Sequence, residues 1–555
     1  MTNFTDFLQN GISASAALQN AVSAAVKGDR NLYFPPGEYH FYPADCPQRY
    51  CWFSNNDEGV KTIAILLDSV DDFTINGAGA LLIFHGRISP LCAFNCRNLC
   101  VTGLQVDFAD SFVSDADLIC RENGVAWFKF YGPHQVVDGR VIFTNDFYDN
   151  LSGILPFTPY DKEKREVIFG CGSGRVENRN ILYKDGLVGV KDCFGGFPTD
   201  AFMVKHELRL CPGMVFDNCT DLLIRQVTLY HAAGMGFLIQ RSENCVVDSS
   251  VVEPRNRRAS ASDDALHITD CRGRIKICNC RLSGTLDDSI NVHGVFRKLK
   301  LRIPGGKMYY LEAGHYQQQG VFNMRPGDHL ELRRREDGAP YGVVELTGVK
   351  PVNKSFSIVE FDESQLPESF VEGDPGWILE TQAELEVIDT ECRSLNGRGV
   401  LASGLKKVLI SGCRFHDAGA GVFISGDHSF WYESGPVTEA LIENNFFDNC
   451  NYNSGGASKE AVAVFPELKK LTENFFYHGR IVVRNNHFRD AERPLISMKS
   501  VAEAEVTGNV FELDSSRQFS FVTKAGYFFT DETSPMAAFL HCGKIKLLDN
   551  PGFKN

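Results

Sequence analysis

A short strand pattern recurs along this chain, and this repetition constrains the fold more than any other feature. Each copy alternates apolar residues, places Gly, Asn or Cys at a corner, and ends on another apolar residue. Copies lie at residues 101–106, 224–229, 247–252, 277–282, 410–415, 442–447, 483–488 and 506–511. One copy cannot bury its inward face alone, so the copies must stack to form a core.

The spacing of the copies predicts an all-β solenoid, a right-handed parallel β-helix. Leu229 and Val252 are 23 residues apart, as are Phe488 and Phe511, and this is one turn (a rung) of a three-stranded coil. Asn and Gly at the corners permit the backbone conformations that a sharp turn needs. Asn side chains stacked from rung to rung are also expected to form hydrogen-bonded ladders.

Segments that lack the pattern divide the solenoid. Residues 12–28 are rich in Ala and predict a helix that caps the N-terminal end. Residues 115–205 and 297–380 combine alternating strands with Gly and Pro, so we predict two β-rich insertions, the second a small barrel. The predicted order is cap and first rungs over 1–114, insertion over 115–205, rungs over 206–296, insertion over 297–380 and rungs over 381–555.

Composition and charge limit the binding partners and the cellular compartment that we expect for this chain. The formal net charge of −14 argues against a nucleic acid or an anionic membrane as partner. The N-terminus has no secretory signal, which predicts a cytoplasmic protein, or a secreted one if a signal has been removed. The 18 cysteines show no paired CxxC spacing and fall in strand-like runs, so we expect buried thiols in a reducing compartment. Solenoid flanks and a barrel insertion favour a homo-oligomer.

Acidic residues on neighbouring rungs form the predicted catalytic group. Asp264 and Asp287 are 23 residues apart, so we expect them to stack one rung apart, with Asp288 beside them. Crowded carboxylates repel, which raises one pKa and gives the proton donor and ionised base that glycoside hydrolysis requires. Asp287 is one choice for the acid, with Asp264 and Asp288 holding a water, and the permuted assignment stays open. Solvated turns are the alternative interpretation of these residues.

Two further groups are predicted to bind the substrate. Asn291 and His293 follow the second acidic pair, and His267 follows the first, although His267 is equally compatible with a satisfied core histidine. A loop at residues 424–435 carries Asp427, Trp431 and Glu433, a combination that suits a sugar because aromatic rings stack on its apolar face and carboxylates bond its hydroxyls. The basic run at residues 255–258 could line the cleft, although a solvated charge run is the favoured interpretation. No metal or cofactor is expected.

At these residues the chain resembles a known enzyme family. The segments DALH at 264–267, DDSINVHG at 287–294 and GDHSFWYESG at 426–435 are similar to glycoside hydrolase family 110, the inverting α-galactosidases. Supporting segments lie at residues 35–41, 54–57, 84–87 and 315–328. The resemblance implies a β-helix with barrel insertions and metal-independent removal of terminal α-1,3-linked galactose with inversion. Substrates so implied are galactose-terminated glycans, namely the blood-group B determinant and linear α-1,3-digalactosyl ends, cleaved by Asp264, Asp287 and Asp288.

Other functions remain possible for such a fold. A hydrolase of another galacto-configured or uronate glycan, such as a polygalacturonase-like enzyme, also sets aspartates on successive rungs. It needs basic subsites and an Arg-x-Lys pattern after the acidic pair, whereas Arg274-Ile275-Lys276 precedes the pair here. A pectate-lyase-like eliminase would need calcium. A non-catalytic glycan-binding β-helix would gain little from crowding three carboxylates.

Overall fold

The computed structural model describes residues 1–56, 58–143, 153–169, 171–206, 209, 211–301, 308–453, 460–491, 494–516, 532–533 and 537–552. The α-helix of these residues is Ala14–Lys27, beside short 3-10 helices at Phe4–Phe7, Tyr316–Gln318, Glu363–Gln365 and Leu379–Thr381. Ser13 caps the α-helix, since its side chain accepts from the N–H of Ala16 at 3.0 Å. The apolar face of the helix is buried in the main core, as the predicted capping role requires.

Three parallel sheets form the body of the molecule, and each rung contributes one strand to each sheet. Sheet A contains, in spatial order, Thr2–Asn3, Asn31–Tyr33, Thr74–Asn76, Arg97–Thr102, Thr220–Arg225, Glu243–Asp248, Arg272–Cys278, Glu384–Ile388, Lys407–Ser411, Glu439–Glu443, His478–Arg484, Val501–Thr507 and Lys544–Leu548. Sheet B contains Glu38–Phe41, Leu81–Phe84, Gln105–Phe108, Thr228–Leu229, Val251–Val252, Arg281–Ser283, Glu391–Arg393, Arg414–Phe415, Phe446–Asp448, His487–Asp490 and Val510–Leu513.

Sheet C carries the residues on which the functional prediction depends. Its strands are Gln48–Cys51, Gly59–Asp68, Ser89–Phe94, Met214–Asp217, Phe237–Gln240, Leu266–Thr269, Ile290–Val295, Val400–Ala402, Val422–Gly426, Val462–Pro466, Ile496–Lys499, Ala537–Leu540 and Glu532–Thr533. Glu433–Ser434 pairs antiparallel with the edge of Ile290–Val295. The first pair, Gln48–Cys51 with Gly59–Asp68, and the last pair are antiparallel, and the strands between them are parallel.

Inward side chains of the three sheets form one continuous apolar core from Phe4 to Phe539. An asparagine ladder runs beside it through Asn445, Asn486, Asn509 and Asn550, and the Oδ1 of each of the last three accepts from the Nδ2 of the preceding member at 2.9–3.0 Å. The predicted ladder is therefore confirmed. Because every member satisfies the polar atoms of its neighbour, these amides tolerate burial at the edge of an apolar core.

The rung that begins at Leu266 is one residue longer than predicted. Leu266 pairs with Ile290, so the rung register is 24 residues and Asp264 lies against Asp288 instead of Asp287. The extra residue is absorbed by a β-bulge in Arg272–Cys278, where Gly273 adopts φ +65°. The prediction that Asp264 stacks on Asp287 was therefore wrong by one residue.

Two antiparallel sheets are inserted between the rungs. The first contains Val113–Glu122, Val125–Phe130, Ile154–Asp161, Glu166–Val167, Gly174–Glu177, Leu182–Lys184, Leu187–Lys191 and Ala201–Lys205, with the hairpin His134–Val137 and Arg140–Phe143. The second contains Arg297–Leu301, Tyr309–Ala313, His329–Arg333, Pro340–Glu345, Gly348–Pro351, Phe356–Glu360 and Pro375–Ile378. Each encloses its own apolar core.

Ion pairs fasten the first insertion to the solenoid. Arg257 and Arg258, mostly buried, pair with Asp107 at 3.0 Å and Asp117 at 2.6 Å. Arg258 also donates to the carbonyl oxygen of Phe202 at 2.7 Å. The prediction of a solvated charge run was wrong for these two arginines, because Asp107 of sheet B pairs with Arg257 and Asp117 of the insertion pairs with Arg258.

The second insertion is fastened in the same way. Arg297 pairs with Asp270 at 2.6 Å and Arg272 pairs with Asp328 at 2.6 Å, and all four side chains are buried. The 18 cysteines are unpaired and most are buried, including Cys92 and Cys96. Within the described part of the chain, no helix is both long and apolar enough to span a bilayer.

Candidate active site

The predicted site lies on the outer face of sheet C, where two neighbouring strands follow two acidic turns. Leu266 and Ile268 point into the main core, as do Ile290 and Val292. Because side chains alternate along a strand, His267, Asn291 and His293 point outward. The acidic pairs stand immediately before these strands, at the corner of their rungs.

Asp264, Asp287 and Asp288 come together at this corner. One oxygen atom from each carboxylate can be chosen so that all three lie within 4.8 Å of one another. The side chain of Asp287 is 28% exposed, whereas those of Asp264 and Asp288 are 3% and 1% exposed. Asp287 therefore faces the open side of the cluster, and the other two form its floor.

Each of the two floor carboxylates accepts a hydrogen bond from a backbone N–H group. Oδ1 of Asp264 accepts the backbone N–H of Asp288 at 3.0 Å, and Oδ1 of Asp288 accepts the backbone N–H of Arg398 at 2.6 Å. Burial raises the pKa of Asp264, and the neighbouring Asp287 raises it further. Burial likewise raises the pKa of Asp288, against the opposing effect of Arg398.

Cationic side chains surround the acidic cluster. Arg398 pairs with Asp288 at 2.9 Å, and Arg209 pairs with Asp287 at 3.2 Å. Arg209 and Lys205 also hold Asp263, at 3.1 and 2.8 Å. Burial raises the pKa of Asp263, but these cations outweigh that effect and lower it. Since the cations already compensate the carboxylates, the arrangement favours an acid–base site over a cation site.

A buried chain of polar groups leads away from Asp264. Oδ2 of Asp264 lies 2.7 Å from Nδ1 of His267, and Nε2 of His267 lies 3.2 Å from Nε2 of His293. Nδ1 of His293 lies 2.8 Å from the carbonyl oxygen of Gly294, and Oε1 of Glu433 lies 3.9 Å from Nε2 of His293. Burial lowers the pKa of His267 to about 3, with a further contribution from His293.

The structure places His267 and His293 in this buried chain behind Asp264, and their predicted role in substrate binding stays a prediction. Both side chains are fully buried, and both ring nitrogens of each lie against protein groups. They lie behind the aspartates, and His267 contacts Asp264. Glu433 is only 14% exposed and accepts from the Nδ2 of Asn55 at 2.6 Å.

Asn291 remains a predicted substrate-binding residue. It pairs in register between His267 and Leu401 on the outer face of sheet C. Its side chain is buried, and its Oδ1 has no hydrogen-bond partner within the described residues. A buried amide oxygen without a partner is costly, so this atom is suited to receiving a hydroxyl donor from a ligand.

The remaining predicted residues lie in the loop after Val422–Gly426, where Asp427 and Trp431 make different contacts. The carboxylate of Asp427 accepts from the backbone N–H groups of Ser429 at 2.7 Å and Phe430 at 2.9 Å, and also from the N–H of Trp431. Asp427 thus shapes the loop, and its predicted contact with the substrate stays a prediction. Trp431 is 36% exposed and packs edge-on against His315 with ring centroids 4.9 Å apart.

Several residues of the site were missed from the sequence. Arg209 and Arg398 hold the aspartates, and Gln318 of the second insertion donates to Oδ1 of Asn55 at 3.0 Å. Ser54 donates to Oε1 of Gln318 at 3.0 Å. Residues 54–57 and 315–328 had been noted only as supporting segments of the resemblance, and Asp57 lies outside the described residues. Their polar character amid apolar strands was the signal that could have placed them here.

Family models match two parts of the chain. One described as "Right handed beta helix region" matches residues 376–533, and one described as "GLAA-B beta-barrel domain II" matches residues 310–375. Together with the parallel sheets, these matches confirm the predicted right-handed parallel β-helix with a barrel-like insertion.

Curated relatives match most of the chain. It is 25% identical over 537 residues to the alpha-1,3-galactosidase B of Bacteroides thetaiotaomicron, covering 93% of this chain and 86% of the relative. It is 25% identical over 492 residues to the alpha-1,3-galactosidase A of Bacteroides fragilis, covering 86% and 80%. Among solved structures, the family 28 exopolygalacturonase of Yersinia enterocolitica is 11% identical with a TM-score of 0.43, covering 99% and 78%. The two curated relatives confirm the resemblance drawn from the sequence motifs.

Proposed function

We propose that this chain is an exo-acting hydrolase that removes terminal α-1,3-linked galactose with inversion, from blood-group B type ends, linear α-1,3-digalactosyl ends or both. The chain is a glycoside hydrolase, since its resemblance to α-1,3-galactosidases runs through most of its length. The observation that carries the mechanism is the cluster of Asp264, Asp287 and Asp288, which supplies the two carboxyl functions that glycoside hydrolysis needs.

In this mechanism Asp287 is the general acid, because it is the member of the cluster that a glycosidic oxygen can reach. Asp264 and Asp288 hold the attacking water between them. Carboxylate oxygens within 4.8 Å of each other fit one bridging water, since each hydrogen bond spans about 2.7 Å. As the water attacks the anomeric carbon, one of these two carboxylates takes its proton, and Asp287 protonates the departing oxygen.

The cluster is tighter than the separation of about 6.5–9.5 Å usual for inverting enzymes, and closer to the roughly 5–5.5 Å of retaining ones. The third carboxylate is the reason for proposing inversion, because a pair of carboxylates can hold a water where a single nucleophile would otherwise attack. Lys205 and Arg209 do not favour a uronate substrate, since Asp263 and Asp287 already engage them.

The test is hydrolysis of α-1,3-galactobiose followed by NMR of the anomeric protons, with Asp287→Asn as the paired variant. We expect β-galactose to appear first with the wild type and no release with the variant. Early α-galactose would overturn inversion while keeping the substrate. Binding without turnover by both proteins would overturn the enzyme itself in favour of a glycan-binding β-helix.

A further inference from the structure

Three separate segments of the chain meet beside the acidic cluster, and hydrogen bonds between them join the three. Ser54 donates to Oε1 of Gln318 at 3.0 Å, and Nε2 of Gln318 donates to Oε1 of Glu433 at 3.5 Å. The backbone N–H of Asn55 donates to the carbonyl oxygen of Gln317 at 2.8 Å. Ser54 and Gln318 are fully buried. These polar groups form the inner part of a wall at the site.

Each of the three segments also carries an exposed aromatic side chain, two positions before its polar one. The rings belong to Trp52, Tyr316 and Trp431, and Phe430 lies beside the last of them. Tyr316 is 68% exposed, Phe430 is 59% exposed and Trp52 is 39% exposed. We call these four side chains the aromatic rim. The rim is the outer part of the wall, since its rings are open to solvent where the polar groups are buried.

Packing holds the rings of the rim in place. The ring centroid of His315 lies 4.4 Å from that of Tyr316 and 4.9 Å from that of Trp431. Trp52 packs against the backbone of Gly320 so closely that a β-carbon there would lie 2.3 Å from Cβ of Trp52. Because the rings are already ordered, a ligand that stacks on them loses little free energy in fixing side chains.

The rim stands beside the proposed general acid. Nη1 of Arg209 donates to the carbonyl oxygen of Asn55 at 3.1 Å, and its Nη2 donates to Oδ2 of Asp287 at 3.2 Å. The segment that carries Trp52 is therefore joined to Asp287 through one guanidinium. The departing sugar is attached through the oxygen that the acid protonates, so the leaving chain begins at this place. Its later sugars then come within reach of the rim.

We propose that the aromatic rim binds the second and later sugars of the leaving chain, so that the preferred substrates are trisaccharides and longer glycans. This inference rests on the proposed function and specifies its substrate class. Exposed apolar groups gathered in one patch mark a binding surface, and aromatic rings offer a face on which the apolar side of a sugar stacks. The first sugar of the leaving chain is left to Trp431, whose ring is the least exposed of the four.

Two features favour a neutral glycan as the occupant of the rim. A protein partner seated on the rim would cover the open side of Asp287 and exclude the substrate. Burial lowers the pKa of His315, against the opposing effect of Glu433, so this ring adds no charge between the aromatic groups at neutral pH. Uncharged rings suit sugars that carry hydroxyls and no acidic group.

The first experiment measures binding without turnover, in the full chain carrying Asp287→Asn. Calorimetry compares α-1,3-galactobiose with a linear pentasaccharide that ends in α-1,3-linked galactose. We expect the pentasaccharide to bind about tenfold more tightly. Tyr316→Ala and Trp52→Ala, each added to the same background, should reduce this ratio to about twofold or less. Equal Kd values for the two glycans, or a ratio that both variants leave unchanged, would overturn the proposal.

Tyr183→Ala is the matched control. Tyr183 is 58% exposed and lies on Leu182–Lys184, the edge strand of the first insertion. Its loss should leave the ratio at about tenfold, because this ring is outside the rim. A ratio that falls as much in Tyr183→Ala as in Tyr316→Ala would show that the rim has no special role, and would overturn the proposal.

Light scattering on the same proteins tests a second copy of the chain as the other occupant. We expect the wild type and Tyr316→Ala to have the same mass. A dimer that Tyr316→Ala dissociates would assign the rim to a second copy and overturn its role with glycans.

The binding measurement also separates the rim from the proposed function. A wild type that releases galactose but binds both glycans equally would overturn the rim and keep the function. A wild type that cleaves no galactoside would overturn the function, and tighter binding of the pentasaccharide through Tyr316 and Trp52 would still support the rim.

Discussion

Replacing Asn486 by alanine should weaken the C-terminal half of the solenoid, because this side chain is the centre of the asparagine ladder. Its Oδ1 accepts from the backbone N–H and the Nδ2 of Asn445, both at 3.0 Å. Its Nδ2 donates to Oδ1 of Asn509 and to the carbonyl oxygen of Ile442, both at 2.9 Å. All of these contacts are lost in alanine.

The size of the effect follows from burial. Asn486 is 1% exposed, so water cannot replace the lost partners. Each of the four contacts contributes about 1 kcal/mol net, and buried groups left unpaired cost at least as much, which gives about 4 kcal/mol. Asn550 is the matched control, because it makes the same contacts with Asn509 and Val506 but lies half-buried at the end of the ladder. Its replacement by alanine should cost about 1 kcal/mol, since water substitutes there.

The assay is urea unfolding of the wild type and both variants, compared at the first transition. Rungs contact only their neighbours, so the loss should appear as earlier unfolding of the C-terminal rungs. Equal costs for Asn486→Ala and Asn550→Ala would refute the argument from burial. A cost below about 1 kcal/mol for Asn486→Ala would refute the role of the ladder itself.

Three other outcomes are expected. Burial raises the pKa of Asp337, but hydrogen bonds from Arg334 and Thr472 lower it to about 2, below its ordinary 3.8. Its stabilisation is therefore present above about pH 4 and lost as the pH falls toward 2, and Asp337→Asn should flatten that part of a stability–pH curve. Trp431→Ala should raise KM for α-1,3-galactobiose about tenfold in initial-rate assays, with kcat within twofold, because we expect the exposed indole to stack on the sugar and to take no part in proton transfer. Arg297→Met should lower the free energy of unfolding by about 3–5 kcal/mol in urea, since it leaves buried Asp270 without its cation.

The fold could be predicted from the sequence because the structural repeat of a solenoid appears as a periodic pattern of residues. The alternation of apolar residues fixed the inward face, and the repeat of 23 residues placed the acidic pairs on adjacent rungs. The register was missed by one residue because a single bulge at Gly273 lengthens one rung. A glycine in a strand indicates a bulge only after the partner strand is known.

The residues around the aspartates were harder to predict for a different reason. Arg209 and Gln318 reach the site from segments outside the repeat, where no period relates their positions to the rungs. Arg257 and Arg258 had the sequence character of a solvated run, and only the folded structure shows that Asp107 of sheet B and Asp117 of the first insertion pair with them. The repeat pattern locates the site residues that lie on solenoid strands, but it does not locate the residues that the insertions and connecting segments contribute.

The contact between Asn55 and Glu433 joins residues 378 positions apart, and it has a consequence for synthesis on the ribosome. Rungs can stack in order as the chain emerges, because each needs only the rung before it. The constellation around Asp264 is different, since it is incomplete until residue 433 of 555 has left the exit tunnel. A nascent or prematurely terminated chain would therefore be compact and protease-resistant over its first rungs before the proposed active site is complete.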